Sequence, residues 1–428
     1  MAPHDLRRPF KRPAISDQQK RRDLSLLRQA QSRRDAQHQA RCLASTVLSF
    51  PTQNSEPVPE PQAVEEIELV PEPEPIYEES EPEQQAIDID VRQASKLRGA
   101  EARRWFAKQL MLPEWMIDLP DRLDQDWYIF ARPAGKRCFV VSSNGVTVSR
   151  LRNGSLLHRF PSALPNGAKT KDISRSAQSY CILDCIFHEL DQTYYVIDMV
   201  CWAGISFYEC TAEFRFFWLN NKLVETRACE APSVFHKFRF SLVPVYNCDK
   251  EGFHIAYTGA VPYEKDGLLF YNKHAHYQTG NTPLALVWKD ENCSKYVIDT
   301  DSKGHVPHQQ QVVLELQDDG KLTASDDPPV VFGCLNGDFI QKTGLHSGYL
   351  LRFTVNEGGL RFVDGKLEKA DLQYLGKANR ARAFADSFSK IMFQYMARYS
   401  PLTVEHLLAS ISSSNEQENG TRDLEMSG

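Results

Sequence analysis

Arg132-Pro133-Ala134-Gly135-Lys136-Arg137 joins two strand-like runs, Trp127-Tyr128-Ile129-Phe130-Ala131-Arg132 and Arg137-Cys138-Phe139-Val140-Val141-Ser142. The junction gathers three cations, Arg132, Lys136 and Arg137, around a proline and a glycine. An arginine cannot be deprotonated near neutral pH, so Arg132 is a poor nucleophile. Upstream stands Leu112-Pro113-Glu114-Trp115, after a helical pattern from Ala94 to Leu112. Pro113 excludes a helix interior, which predicts Leu112 and Trp115 on a turn at the helix end.

Outward from this junction the chain alternates strands and turns. Ser143-Asn144-Gly145 and Asn153-Gly154 read as hairpin turns around Val146-Thr147-Val148. Apolar runs at 180–187, 193–200, 266–271, 284–289, 312–316 and 350–355 predict further strands. Phe214, Phe217 and Trp218 recur at helical spacing and predict a helix over 209–222, with most of the aromatics between Tyr194 and Trp218 in the core. A second helix is expected over 378–399, carrying Phe384, Phe388, Ile391, Met392 and Tyr395. Without regular strand–helix–strand alternation, the pattern predicts an α+β fold with antiparallel sheets and flanking helices.

The 428 residues carry a net charge of -6, unevenly spread. Up to Ala44 eleven bases face four acids; from Pro51 to Asp90 thirteen acids stand without a Lys or Arg. Ser16-Asp17-Gln18-Gln19 has the form of a capping box, and a single basic helix is expected from Asp17 to Leu43, marginal until it docks. A solvated charged helix and a nucleic-acid-binding arm compete with a protein-docking role. The Pro- and Glu-rich stretch that follows reads as a disordered linker. The ten cysteines contain no C-x-x-C pair, which favours buried reduced thiols over a metal site or disulfide framework. No apolar run approaches membrane-spanning length, so a soluble protein of the reducing compartments is expected, without membrane partners, cofactor or metal.

Several long runs occur in a known order: 107–112 to Trp115, Gly135-Lys136-Arg137, Leu183-Asp184-Cys185-Ile186, Gln192 to Val196, Phe214-Arg215-Phe216 and Asp266 to Tyr271. Together they resemble the snurportins, nuclear import adaptors of spliceosomal U small nuclear ribonucleoproteins, over roughly Gln109 to Trp288. Phe10 to Ala44 looks like an importin-β-binding domain. The region beyond Lys289 is longer than the vertebrate form. The cap-binding domain of that family is similar to the nucleotide-binding domain of mRNA-capping guanylyltransferases, and relics of that pocket are visible. Their Lys-x-Asp-Gly-x-Arg run reads Arg132-Pro133-Ala134-Gly135-Lys136-Arg137, with the lysine and the aspartate both lost. Lys265 to Phe270 fits their Asp/Glu-Gly-Leu-Ile-Phe strand, Asp184 stands in an acidic motif, and Leu286-Val287-Trp288-Lys289 matches Leu-Lys-Trp-Lys with the first lysine replaced by Val287. An active guanylyltransferase is therefore disfavoured.

The resemblance implies a trimethylguanosine cap as ligand. Trp288 would stack on the charged base, although it falls one residue off the family spacing from Thr282-Pro283, and a plain core position at a strand end stays open. Leu112 and Trp115 would line the added methyls, and Arg132, Lys136, Arg137 and Arg152 the phosphates, while Pro113 replaces a serine contact. Trp288→Ala is then expected nearly to abolish cap binding, and Arg137→Ala to weaken it in a salt-dependent way. Lys11, Arg12, Lys20, Arg21, Arg22, Arg28, Arg33, Arg34 and Arg41 would bind importin β. An exportin is an open further partner, since the short stretch before the arm lacks the family's leucine-rich opening. The expected organisation is arm 1–45, acidic linker 46–93, cap-binding domain 94–300, β-rich extension 301–410 ending in a helix, and disordered tail 411–428, in a protein shuttling between nucleus and cytoplasm. A protein-interaction adaptor with a vestigial pocket is the competing reading.

Overall fold

A computed structural model describes residues 18–31, 36–46, 97–169, 179–301, 303–363, 366–379 and 382–411. The acidic linker, Lys11, Arg12, Arg33, Arg34 and the tail after Ile411 lie outside them. In chain order the elements are α1 (Gln18–Gln31), α2 (Ala36–Ser45), α3 (Gly99–Ala107), β1 (Met111–Trp115), α4 (Leu123–Asp126), β2 (Trp127–Pro133), β3 (Lys136–Ser143) and β4 (Val146–Leu151). There follow β5 (Leu156–Phe160), β6 (Cys181–His188), β7 (Thr193–Trp202), β8 (Ile205–Ser206), α5 (Ala212–Glu225), β9 (Arg239–Leu242), β10 (Tyr246–Asn247), α6 (Lys250–Thr258), β11 (Lys265–Asn272) and β12 (Gly280–Trp288). The C-terminal region adds β13 (Gln311–Leu316), β14 (Lys321–Thr323), β15 (Val331–Cys334), α7 (Gly337–Thr343), β16 (Leu350–Val363), β17 (Lys366–Lys377) and α8 (Phe388–Tyr399).

Three sheets result, in the orders β1-β12-β11-β2-β10, β5-β4-β3-β6-β7-β8 with β9 on β7, and β15-β14-β13-β16-β17. The α+β expectation holds. Pairing is antiparallel except for β1 with β12 and β7 with β9. The first sheet is the middle layer, and its period-two alternation divides its side chains between two cores. Phe130, Leu269, Tyr271, Ala285 and Val287 pack toward the second sheet, with Phe139, Ile182 and Ile197. Ile129, Leu268, Phe270, Leu286 and Trp288 pack toward the C-terminal sheet, with Leu314, Leu351 and Phe353. Burial on both faces is why β2, β11 and β12 read as near-continuous apolar runs. The C-terminal region thus shares a core with the middle sheet.

Several expected elements change. Leu112 to Trp115 is strand β1, not a turn. Pro113 is tolerated because β1 is an edge strand whose register with β12 shifts between Pro113 and Glu114. α5 begins at a Thr211 cap that accepts the Phe214 N–H, and buries Ala212, Arg215, Leu219 and Leu223. Phe217 is instead 66% exposed, because Arg215 takes the inward face to pair with Asp198. α8 starts at Phe388, and Phe384 lies on the extended segment before it. Ile411, expected in the tail, is buried beside Leu407 in the core shared with α8. None of the ten cysteines forms a disulfide, and most are buried.

The arm is recorded as two helices packing on different sheets. α2 buries Ala40, Leu43 and Ala44 in the core under the second sheet. α1 lies against β1: Gln18 donates to Glu114 (3.0 Å) and to the Trp115 carbonyl (2.8 Å), and Arg21 pairs with Glu114. Arg22 is buried and donates to the Asp118 carbonyl at 3.2 Å. These contacts correct part of the arm expectation: Arg21 and Arg22 face the core, whereas Lys20, Arg28 and Arg41 are exposed.

Candidate functional site

The loop between β2 and β3 is held tightly. Ala134 donates its N–H to Glu264 (2.7 Å), and Gly135 has φ +139° with the Phe187 carbonyl 2.3 Å from where a Cβ would stand. Only glycine fits there. This turn sends Arg132 and Arg137 toward one cleft of about 580 Å³, which also receives Leu112, Pro113, Trp115, Lys136 and Arg152. Six of the seven expected ligand-binding residues therefore meet.

Trp288 does not join them. It is fully buried on the opposite face of the middle sheet, its indole N–H donating to the Leu402 carbonyl at 2.9 Å. Its neighbour Val287 faces the cleft instead. The correction follows from the pleat: a one-residue displacement in a strand moves a side chain to the other face. The one-residue offset in spacing was the signal in the sequence.

The cations differ in their freedom. Arg137 forms a two-pronged pair with Asp184 (3.0 and 2.7 Å) and donates to the Met111 carbonyl at 2.7 Å, while Tyr277 donates to the same carboxylate at 2.7 Å. Burial disfavours its charge, but Asp184 outweighs that and raises its pKa above the ordinary arginine value. Arg132 and Lys289 both pair with Asp266, which also accepts from Ser294 at 2.8 Å. Although burial opposes it, Arg132 and then Lys289 hold the Asp266 carboxyl below its ordinary range. Lys136 makes an exposed pair with Glu189 at 2.7 Å. Arg152, on the turn after β4, has no hydrogen bond or ion pair of its own among the described residues; its guanidinium lies 5.9 Å from the Phe384 ring centroid. Desolvation, and then the nearby Arg137, Arg382 and Arg132, push its pKa down to about 10.

Both carboxylates of the transferase-like motifs are thus committed to cations of the chain itself. No amine stands at position 132, and among the described residues no three His, Cys, Asp or Glu side chains are grouped to hold a metal ion. What the cleft offers is an apolar wall of Leu112, Val287 and Trp115 beside a cationic wall of Lys136 and Arg152.

A second cavity, of about 380 Å³, lies beneath α1 between Arg21, Glu114, Gln278 and Asp326. Asp326 accepts the Phe388 N–H at 2.5 Å. Burial, with a smaller contribution from Glu114, pushes its pKa up to about 7. An unfolded aspartate titrates near about 3.9, so between that value and pH 7 the folded chain holds the extra proton and stability falls as pH rises. Asp326→Asn keeps the acceptor and removes the charge. Its melting temperature is expected to exceed the parent's above pH 7 and to vary less between pH 5 and 8; unchanged melting curves would contradict this.

The cleft thus sets an apolar wall beside a cationic one, with an arginine in place of a lysine at position 132. Residues 109–289 match the family model described as Snurportin1, m3G cap-binding domain. Among solved structures, the ligase domain of LigD from M. tuberculosis is 12% identical with a TM-score of 0.30, covering 64% of this chain and 96% of that one. A mycobacterial DNA ligase D complexed with ATP and MES is 11% identical with a TM-score of 0.29, over 65% and 99% of the two chains. A structure of the Lig E DNA ligases is 13% identical with a TM-score of 0.25, over 63% and 98%.

Proposed function

We propose that this chain is a nuclear import adaptor that holds the trimethylguanosine cap of U small nuclear RNA in the cleft and passes the ribonucleoprotein to importin β through its basic arm. The observation that carries the reading is the meeting of Leu112 and Trp115 with Lys136 and Arg152 inside the matched domain. Two added methyls against the apolar wall contribute roughly 0.8 kcal/mol each, about a tenfold preference over a monomethyl cap. A monomethyl cap would also strand amino hydrogens against that wall. The arm acts as a docking helix: Lys20, Arg28 and Arg41 face solvent, and a solenoid partner that took the helix would also have to free Arg21 and Arg22 from the core. Shuttling between nucleus and cytoplasm follows from that role, with an exportin as the return partner. Since Arg132 cannot act as nucleophile, no covalent guanylate adduct is expected with GTP and a divalent metal.

Titration of intrinsic tryptophan fluorescence with cap analogues tests the ligand. Trp115 in the cleft should report binding, with the trimethyl analogue held about tenfold more tightly than the monomethyl one. Equal or absent responses would favour the second reading, a protein-interaction adaptor with a vestigial pocket. That reading draws support from the ion network of Arg132, Asp266 and Lys289, which fills part of the site from within.

A further inference from the structure

The family match ends at residue 289, but the cleft does not. Its remaining wall comes from Tyr296 and Asp299 after β12, and from the extended segment 382–387 that leads into α8. This wall is anchored to the rest of the fold. Ser389 Oγ accepts the Trp115 N–H at 3.1 Å, and Asp386 accepts the Val313 N–H at 2.8 Å. Asp386 also pairs with Arg382 and Lys390, and Lys390 reaches Asp299 at 2.6 Å.

A cap needs an aromatic face for its cationic base and cations for its triphosphate. With Trp288 turned away, the aromatic side chains lining the cleft are Trp115, Phe384 and Tyr296. Trp115 is packed against Phe393 at 4.8 Å between centroids, and the Lys289 ammonium lies 5.7 Å from its ring centroid. Phe384 already faces the Arg152 guanidinium. A cationic base would meet like charge at either ring. Tyr296 also lines the cleft, is 61% exposed and has no cation over its ring among the described residues; Lys289 reaches its backbone carbonyl at 3.3 Å, not its ring. Arg152 lines the same cleft and lies near Arg137, Arg382 and Arg132, with Asp386 offsetting part of that repulsion and no carboxylate in ion-pair contact with it among the described residues. Crowded like charges of this kind are relieved by a polyanion.

We propose that the cap site of this chain is composite: the base stacks on Tyr296, and the triphosphate lies between Arg152 and Arg382, so the C-terminal region completes the pocket. The proposal rests on the cap-binding reading and names which side chains execute it.

The test uses the full chain with two probes, the trimethylguanosine nucleoside and the triphosphate-bridged dinucleotide m3GpppG. Tyr296→Ala should lose roughly tenfold to a hundredfold in affinity for both probes, the range for one stacked base, whereas Tyr296→Phe should bind like the parent. Arg382→Gln should weaken m3GpppG, leave the nucleoside unaffected and make m3GpppG binding less sensitive to salt. Loss of the Asp386 pair alone would lower stability without separating the probes. Parent-like binding by Tyr296→Ala, or equal effects of Arg382→Gln on both probes, overturns the composite site while cap binding stands. If the parent binds neither probe, the cap reading falls and the composite site with it.

Discussion

Trp288→Ala is expected to destabilise the chain by about 3–5 kcal/mol, the usual range for a fully buried tryptophan, while the fraction that stays folded keeps its cap affinity. The indole fills the core between the middle and C-terminal sheets, packed with Leu314, Leu351 and Phe393 in one cluster. Alanine leaves a cavity there and strands the Leu402 carbonyl that accepts the indole N–H. Denaturant unfolding gives the stability loss, and titration of the native fraction with m3GpppG gives the affinity. A variant with parental stability but no cap binding would mean that Trp288 reaches the ligand after all. Trp288→Phe should recover part of the stability, since it refills much of the volume without the donor.

Arg137→Ala should cost a similar amount, about 3–5 kcal/mol, and not merely weaken phosphate binding. Asp184 is fully buried, and Arg137 supplies both of its charged hydrogen bonds. Removing the guanidinium leaves a carboxylate in the core with Tyr277 as its remaining side-chain donor among the described residues. Replacing the pair together, as Arg137→Met with Asp184→Leu, should restore much of the loss, because no uncompensated charge remains. Lys136→Ala provides the contrast: its pair with Glu189 is exposed, so stability should change by no more than about 1 kcal/mol. If Arg137→Ala melts like the parent and loses only m3GpppG affinity, the arginine is a ligand group and its pairing with Asp184 is incidental.

Much of this was legible in the residues. Alternating apolar runs and Asn-Gly turns disclosed the antiparallel sheets, and the loss of lysine and aspartate at positions 132 and 134 argued against transfer chemistry. The cleft-lining set of Leu112, Trp115, Arg132, Lys136, Arg137 and Arg152 could be named before any coordinate. Other features lay beyond local pattern. Pro113 pointed to a turn at a helix end until its place on an edge strand was known. Arg137 read as a phosphate ligand because Asp184, forty-seven positions away, could not be seen within its reach on the paired strand β6, two residues from its register partner Ile186.

Sequence by itself determined the class of the fold and the basic character of the arm, since composition, periodicity and residue chemistry act locally, and its resemblance to the transferase motif disclosed the missing nucleophile. Tertiary structure alone decided which face of β12 meets the cleft. Val287 and Trp288 are both apolar and adjacent, and neither records whether it points to ligand or core. The choice is made by the pleat and by the C-terminal sheet that covers one face of the middle layer. The same packing brings Tyr296 and Arg382 to the site, because the covalent chain sets no distance between residues so far apart until the sheets close on one another.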